Sequence, residues 1–368
     1  MSPFGYTESM LTNLHIQRFR GINELCLKDA SRVNLIVGRN DSGKTTVLEA
    51  IRFMLAGHPR NLRRPGRNRV EPKRSSRLIQ MKLAFYDSRT EGKIEVSGTV
   101  NERQLNVTAE ISSVLPNQED GTQSLVREID DNDSESLEDL LSTNDEVIVK
   151  ISVDGKLTTT ISQLLDEKFR MNGYHMPNPI KYAWLGTDRA EVWDHARHYS
   201  SLYRSGGSDI LLSILRDIEP RLKQLVVLTE KSESQSSNAV LEVDLGLSGT
   251  LPLESMGDGF GSVIAMLSAI GSAKSGLCLI DEIENGIHYS IQEQVWSSLA
   301  LGAEKFDTQV WATTHSFDCL SSIHRAFEDR PDDLRVHRLE RKDEGYIAVH
   351  TFNYATFGRA LESGLEVR

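Results

Sequence analysis

Long apolar runs are missing from this chain. None approaches the roughly 20 residues that cross a bilayer, and the opening MSPFGYTESM lacks the charged-then-apolar layout of a secretory signal. A cytosolic protein with no membrane contact is therefore expected. Cysteine is scarce: Cys26, Cys278 and Cys319 are widely spread and lie in or beside apolar runs, which points to buried thiols and away from a disulfide frame or a zinc site. No heptad pattern is sustained through the middle of the chain, so a long coiled-coil arm is not expected. A positive balance is absent too: 42 basic against 53 acidic residues give a formal charge of −11. That argues against adhesion of the whole surface to nucleic acid and leaves only local patches. Apolar residues are not short, at 39% of 368, enough for one large α/β domain with an insertion or two modest domains.

What is present centres on GRNDSGKTT, Gly38 to Thr46, between the apolar run Val33 to Val37 and a helical pattern starting at about Lys44. It fits G-x-x-x-x-G-K-[ST] in the strand–loop–helix context that the motif requires. A polyphosphate needs backbone N–H groups turned inward around it, and Gly38 and Gly43 permit a curl that a Cβ would obstruct. Asn40, Asp41 and Ser42 complete the loop of this expected nucleotide site. Lys44 would lie over the β- and γ-phosphates, the Thr45 hydroxyl would ligate Mg²⁺, and Thr46 would donate toward the α-phosphate. The helix N-terminus adds partial positive charge where the phosphates sit.

Hydrolysis needs, in addition, an acid for the metal and a base for the water. Leu277-Cys278-Leu279-Ile280-Asp281-Glu282 offers both. Four apolar residues read as a buried strand ending in Asp281, placed to hold Mg²⁺ through its water shell. Glu282 follows, placed to orient or deprotonate the attacking water. A second apolar strand ends in Thr313-Thr314-His315-Ser316, where His315 sits at the ligand edge of a parallel sheet and could sense the γ-phosphate. Ser255, Gly257, Asp258 and Gly259 precede a helix and read either as an ordinary N-cap with a tight turn or as a second anion cradle. One chain rarely needs two cradles for one triphosphate. The economical reading is that this one faces the γ-phosphate held by another subunit's loop, in a dimer with nucleotide at the interface.

Along the chain, strands are expected at Leu11 to Phe19, Leu25 to Leu27 and Val33 to Val37, and the Lys44 helix should end near Gly57. Residues 58–240 read as an inserted lobe. It opens with a basic segment, 58–77, carrying Arg60, Arg63, Arg64, Arg67, Arg69, Lys73, Arg74 and Arg77. Antiparallel strands over 78–160 follow, including Gln80 to Tyr86, with a polar and acidic flexible loop at 118–146. The stretch 161–230 is expected to be helical, notably from Arg189 to about Leu228. From 240 to 368, strand and helix alternate, as in a parallel sheet with helices on its faces.

The order of these motifs resembles the ATPase heads of the ABC type, and within them the branch holding the structural-maintenance, RecF and OLD (overcoming lysogenisation defect) proteins. Phe19-Arg20-Gly21, Ser255-Met256-Gly257-Asp258-Gly259, the run Ile280 to Ser290, and Thr313-Thr314-His315-Ser316 carry the likeness, which spans nearly the whole chain. It implies an α/β head with a mostly parallel core sheet, an antiparallel β subdomain and a helical insertion lobe, forming one domain over 1–368. Arg20 should reach the nucleotide phosphates or base. Asn285, Gly286 and His288 would belong to the loop that crosses the dimer, and His315 would be the switch histidine. Transporter heads carry a Leu-Ser-Gly-Gly-Gln signature, absent here, and the basic residue that OLD-like proteins often place after the signature glycines is replaced by Phe260, Gly261 and Ser262. Gln80, Gln163 and the segment Thr187-Asp188-Arg189 all remain candidates for the glutamine loop. Only some fifty residues follow His315, so the metal-binding toprim nuclease of OLD proteins is not expected. The likeness is to stand-alone ATPases of prokaryotic antiphage defence, which implies ATP, Mg²⁺, self-association and a separately encoded effector, a nuclease or toxin. The alternative is a RecF-like repair ATPase or clamp, for which Arg60 to Arg77 would supply salt-dependent contacts to nucleic-acid phosphates.

Overall fold

Strands that are apolar on both faces need helices on both sides, and strands that alternate need only one covered face. Both kinds join in one sheet here. The computed structural model describes residues 10–62, 84–85, 93–114, 126–127, 146–163, 170–172, 180–186, 192–230 and 238–363. The strands are β1 (Leu11–Phe19), β2 (Ile22–Leu27), β3 (Val33–Val37), β4 (Lys93–Val100), β5 (Arg103–Val114), β6 (Val126–Arg127), β7 (Glu146–Val153), β8 (Lys156–Gln163) and β9 (Arg170–Asn172). Then come β10 (Tyr182–Leu185), β11 (Gln224–Glu230), β12 (Asn238–Asp244), β13 (Leu251–Pro252), β14 (Leu277–Ile280), β15 (Gln309–Thr313), β16 (Leu334–Arg341) and β17 (Tyr346–Asn353). The helices are α1 (Lys44–Ala56), α2 (Val192–Arg204), α3 (Ser208–Ile218), α4 (Asp258–Ser272), α5 (Gln292–Lys305), α6 (Phe317–Ala326) and α7 (Tyr354–Glu362).

Fourteen strands form a mixed sheet in the order β10-β14-β15-β3-β16-β17-β2-β1-β4-β5-β7-β8-β9, with β6 on β5, and β11 to β13 make a separate antiparallel sheet. The neighbours β10, β14, β15, β3 and β16 run parallel. From β2 through β1, β4, β5, β7 and β8 to β9 the pairing is antiparallel. The antiparallel part is continuous with the parallel core through β17, which bonds β16 on one side and β2 on the other.

Alternation along the central strands divides the core. Val33, Leu35, Val310, Ala312, Cys278 and Ile280 face a cluster with α2 to α7, while Ile36, Trp311, Leu277 and Leu279 face α1. Helix α1 ends as expected at Gly57, whose φ of 56° lets its N–H reach the Phe53 carbonyl.

Three expectations need correction. The stretch expected to be helical to about Leu228 stops at Ile218, since Pro220 cannot continue a helix, and Gln224–Glu230 is a strand paired with β12. Tyr182–Leu185, inside the expected helical part of the lobe, is an edge strand of the core sheet, parallel to β14. Cys278 and Cys319 are buried, but Cys26 is exposed, because it alternates with the buried Leu25 and Leu27. The arginines and lysine from Arg63 to Arg77, nearly all of the acidic stretch, Gln80 and Thr187 to Arg189 lie outside the described residues. Of the expected strand from Gln80 to Tyr86, only Ala84 and Phe85 are described, and Phe85 bridges to Phe19.

Candidate functional site at the ends of the parallel strands

Because β14, β15 and β3 are adjacent and parallel, their C-terminal ends deliver Asp281, the Thr313-to-His315 segment and Gly38 to one sheet edge. The loop after β3 is shaped by backbone that L side chains adopt rarely. Gly38 has φ of 145°, and a Cβ there would come within 2.6 Å of the Leu339 carbonyl oxygen and 2.7 Å of Ser42 Oγ. Asp41 also takes a positive φ, 61°, and Gly43 turns the chain into α1 with φ of 97°. A cradle that only glycine can line is what close approach of backbone to phosphate requires.

Lys44 folds back over this loop, its Nζ donating to the Gly38 and Arg39 carbonyls at 2.8 and 3.0 Å. Burial lowers the affinity of its amine for a proton, while Asp281, Glu282, Glu284 and Asp41 oppose that shift. Thr45 Oγ1 lies 3.1 Å from each oxygen of Asp281. A hydroxyl and a carboxylate facing each other form an all-oxygen pair of the kind that suits Mg²⁺. Burial raises the Asp281 pKa, and hydrogen bonds from Thr313 and Thr45 oppose it. The Asp281 amide is held by the Leu185 carbonyl, 2.8 Å away at the end of β10.

Glu282 sits at φ 49°. Its amide donates to Thr313 Oγ1 (2.8 Å), and its Oε2 accepts from Asn285 Nδ2 (2.6 Å). His315 is half exposed and comes within 3.9 Å of Glu282 Oε1. It is tied more closely to Glu284: Oε1 accepts from the His315 amide at 3.0 Å and lies 3.2 Å from Nδ1. Glu284 therefore holds His315 by hydrogen bonds, while Glu282 faces it across a longer, ion-pair distance.

The remaining expected residues sort differently. Gly259 opens the first turn of α4, and a Cβ there would meet the Gly286 carbonyl at 3.4 Å, so the Ser255-to-Gly259 segment and the Asn285-to-His288 loop adjoin within one chain. Gly257 turns at φ 83°, Asp258 is the first residue of α4, and exposed Ser255 donates to the Pro252 carbonyl (2.7 Å). His288 accepts from the Ser290 amide, and its ring lies tilted against Tyr289, with ring centroids 4.3 Å apart.

Arg20 takes its partners from the protein itself. It is 4% exposed. Its Nε pairs with Glu49 of α1 at 2.8 Å, its Nη2 donates to the Leu62 carbonyl, and its guanidinium lies over the Phe19 ring. Both partners are buried, and the pair ties the turn after β1 to α1.

Three residues escaped the sequence reading. Thr313 has a weak signal, a hydroxyl ending an apolar strand before a histidine. Glu284 could be suspected from its place two residues after Glu282. Arg341 carries no signal, because its partners, the carbonyls of Asp41 (2.9 Å) and Gly21 (2.8 Å), are some three hundred positions away.

Comparison with known proteins places these features among nucleotide-binding domains. A family model described as "AAA domain, putative AbiEii toxin, Type IV TA system" matches residues 33–320. Among curated proteins, a DNA replication and repair protein RecF of Shewanella woodyi is 53% identical over 47 residues, which is 13% of this chain and 13% of that protein. An uncharacterised protein of Methanocaldococcus jannaschii is 39% identical over 49 residues, 13% of this chain and 22% of the relative. The chain thus matches less than a quarter of the length of either relative. Among solved structures, the SMC head domain from Thermotoga maritima aligns over 93% of this chain and 99% of its own, at 12% identity and a TM-score of 0.46. An Smc head domain derived from Pyrococcus furiosus, bound to the C-terminal domain of ScpA, aligns over 96% and 98% at 12% identity and a TM-score of 0.47.

Proposed function

The chain belongs to the AAA domain family matched over residues 33–320, and from that premise we propose that it is a Mg²⁺-dependent ATPase of the OLD-like kind. In this reading it closes as a dimer around ATP, reopens on hydrolysis, and so controls a separately encoded effector, in prokaryotic antiphage defence. The observation that carries the reading is the convergence of Lys44, Thr45, Asp281, Glu282 and His315 at one sheet edge from β3, β14 and β15.

Each group has a task that its surroundings support. The Gly38-to-Thr46 loop binds the phosphates through backbone N–H groups, with Lys44 exchanging its carbonyl partners for phosphate oxygens. Thr45 and Asp281 would hold Mg²⁺, which supplies charge neutralisation on the phosphates when bound. Glu282, fixed by Thr313 and Asn285, orients the attacking water, and His315 reports on the γ-phosphate from the next strand. The Ser255-to-Gly259 cradle completes the site of a second subunit, and its contact with Gly286 couples it to the crossing loop. A family described as part of a toxin–antitoxin system supports a partner protein as the output.

The test is the solution mass of the wild type and of Glu282→Gln, with and without ATP and Mg²⁺. An ATP-dependent doubling in the variant is expected. A variant that stays monomeric at saturating ATP sinks the sandwich model.

A second reading is a RecF-like repair ATPase acting on DNA. The short RecF match and the basic run Arg60 to Arg77 favour it. Replacing those arginines should then abolish salt-dependent DNA binding while ATP hydrolysis persists. Undiminished DNA binding dismisses the patch.

A further inference from the structure

Away from the nucleotide site, β1 and β2 bring three unlike ligand types together on the outer face of the sheet. Leu14, Ile16, Leu25 and Leu27 are buried, so the period-two alternation turns His15 and Cys26 to the other side, where the two stand directly opposite in the antiparallel register. Glu24 lies two residues before Cys26 and so points the same way. The His15 Nε2 to Glu24 Oε1 distance is 3.2 Å, and the ligand atoms of His15, Glu24 and Cys26 all lie within 4.8 Å of one another.

We infer that His15, Glu24 and Cys26 form a site for Zn²⁺ or a similar borderline-soft divalent cation, with water in the fourth position. The distances carry this. Two ligands bonded at about 2.0 Å in a tetrahedron are about 3.3 Å apart, and an imidazole nitrogen and a thiolate sulfur about 3.5 Å. His15 and Glu24 already stand at the first separation, and small rotamer changes bring Cys26 to the second. The charges balance, since a thiolate, a carboxylate and a neutral imidazole neutralise a dication. The donor set also selects the metal. Nitrogen and sulfur ligands favour zinc over Mg²⁺ or Ca²⁺, whereas the all-oxygen Thr45 and Asp281 pair favours Mg²⁺. The backbone beneath is well supported, because β1 is bonded on both sides by β2 and β4, and β2 by β1 and β17. A metal held across two strands would fasten the hairpin whose turn contains Gly21.

The test uses the full chain, reduced and without nucleotide, titrated with Co²⁺ as a spectroscopic stand-in. One equivalent should produce a thiolate-to-cobalt band in the near ultraviolet together with the visible bands of a four-coordinate site, and Zn²⁺ should displace both. Cys26→Ser should abolish the near-ultraviolet band. His15→Ala and Glu24→Gln should each weaken binding at least tenfold, with circular dichroism unchanged. Cys278 and Cys319 are buried, so a band that survives in Cys26→Ser overturns the assignment, as does a wild type that gives none. Binding unchanged by His15→Ala would also reject the three-ligand site.

Discussion

Thr313 Oγ1 stands 2.6 Å from Asp281 Oδ1 and donates to it, while accepting the amide proton of the next residue, Glu282, at 2.8 Å. One hydroxyl at the end of β15 thereby orients both acids at the end of β14. Thr313→Val keeps the shape and removes both bonds. It should reduce kcat for ATP at least tenfold and raise the Mg²⁺ concentration for half-maximal rate, consistent with about 1 to 3 kcal/mol for an amide left unpaired. Steady-state hydrolysis across a Mg²⁺ titration measures both, and wild-type values for the two would refute this role.

The buried Arg20 and Glu49 pair predicts a loss of stability in place of a loss of ligand. Arg20→Met strands a carboxylate at a site only 3% exposed and should cost about 3 to 5 kcal/mol in denaturant unfolding. Adding Glu49→Leu should recover much of it. ATP affinity of the folded variant should change by less than twofold. A large rise in Kd with unchanged stability would restore the phosphate role expected of Arg20.

Gly38→Ala tests the cradle. The added methyl would press on the Leu339 carbonyl from a φ that L residues avoid. Binding of a fluorescent ATP analogue should fall at least a hundredfold while far-ultraviolet circular dichroism is retained. Tight binding in the variant would show that the loop is not shaped as described.

His337 makes stability depend on pH. Fully buried on β16, it stacks on Trp311 and meets Asn34 and Thr351 through its two nitrogens. Burial first, and the charge of Arg335 second, lower its pKa from 6.5 to about 3. The unfolded chain therefore takes up this proton first, so the contribution is whole above pH 6.5 and is lost progressively down to about pH 3. Between pH 7.5 and 5.5 the wild type should lose about 1 kcal/mol that His337→Gln does not lose. Parallel pH dependence in paired urea unfolding curves would exclude the histidine.

Much of this architecture is legible in the residues. Val33 to Val37, Leu277 to Ile280 and Gln309 to Thr313 announce themselves as strands, and the polar residues that follow them mark the sheet edge. Local spacing could not reveal which partner a long side chain takes. Arg20 reads as a cation beside a phosphate loop, and only the packing of β1 on α1 shows the carboxylate waiting there. Tyr182 to Leu185 is too short to distinguish from a helical turn until β14 lies beside it. Arg341 joins Asp41 to Gly21 over some three hundred positions, a relation that no window of sequence contains.

The chain leaves the phosphate loop through α1 and re-enters the parallel core at β10, whose last carbonyl holds the Asp281 amide. Everything between starts at the far end of α1 and returns at the first residue of β10, both at the sheet edge opposite the phosphate loop. A segment anchored there can differ in length or content without moving the ends of β3, β14 and β15 that meet at the other edge.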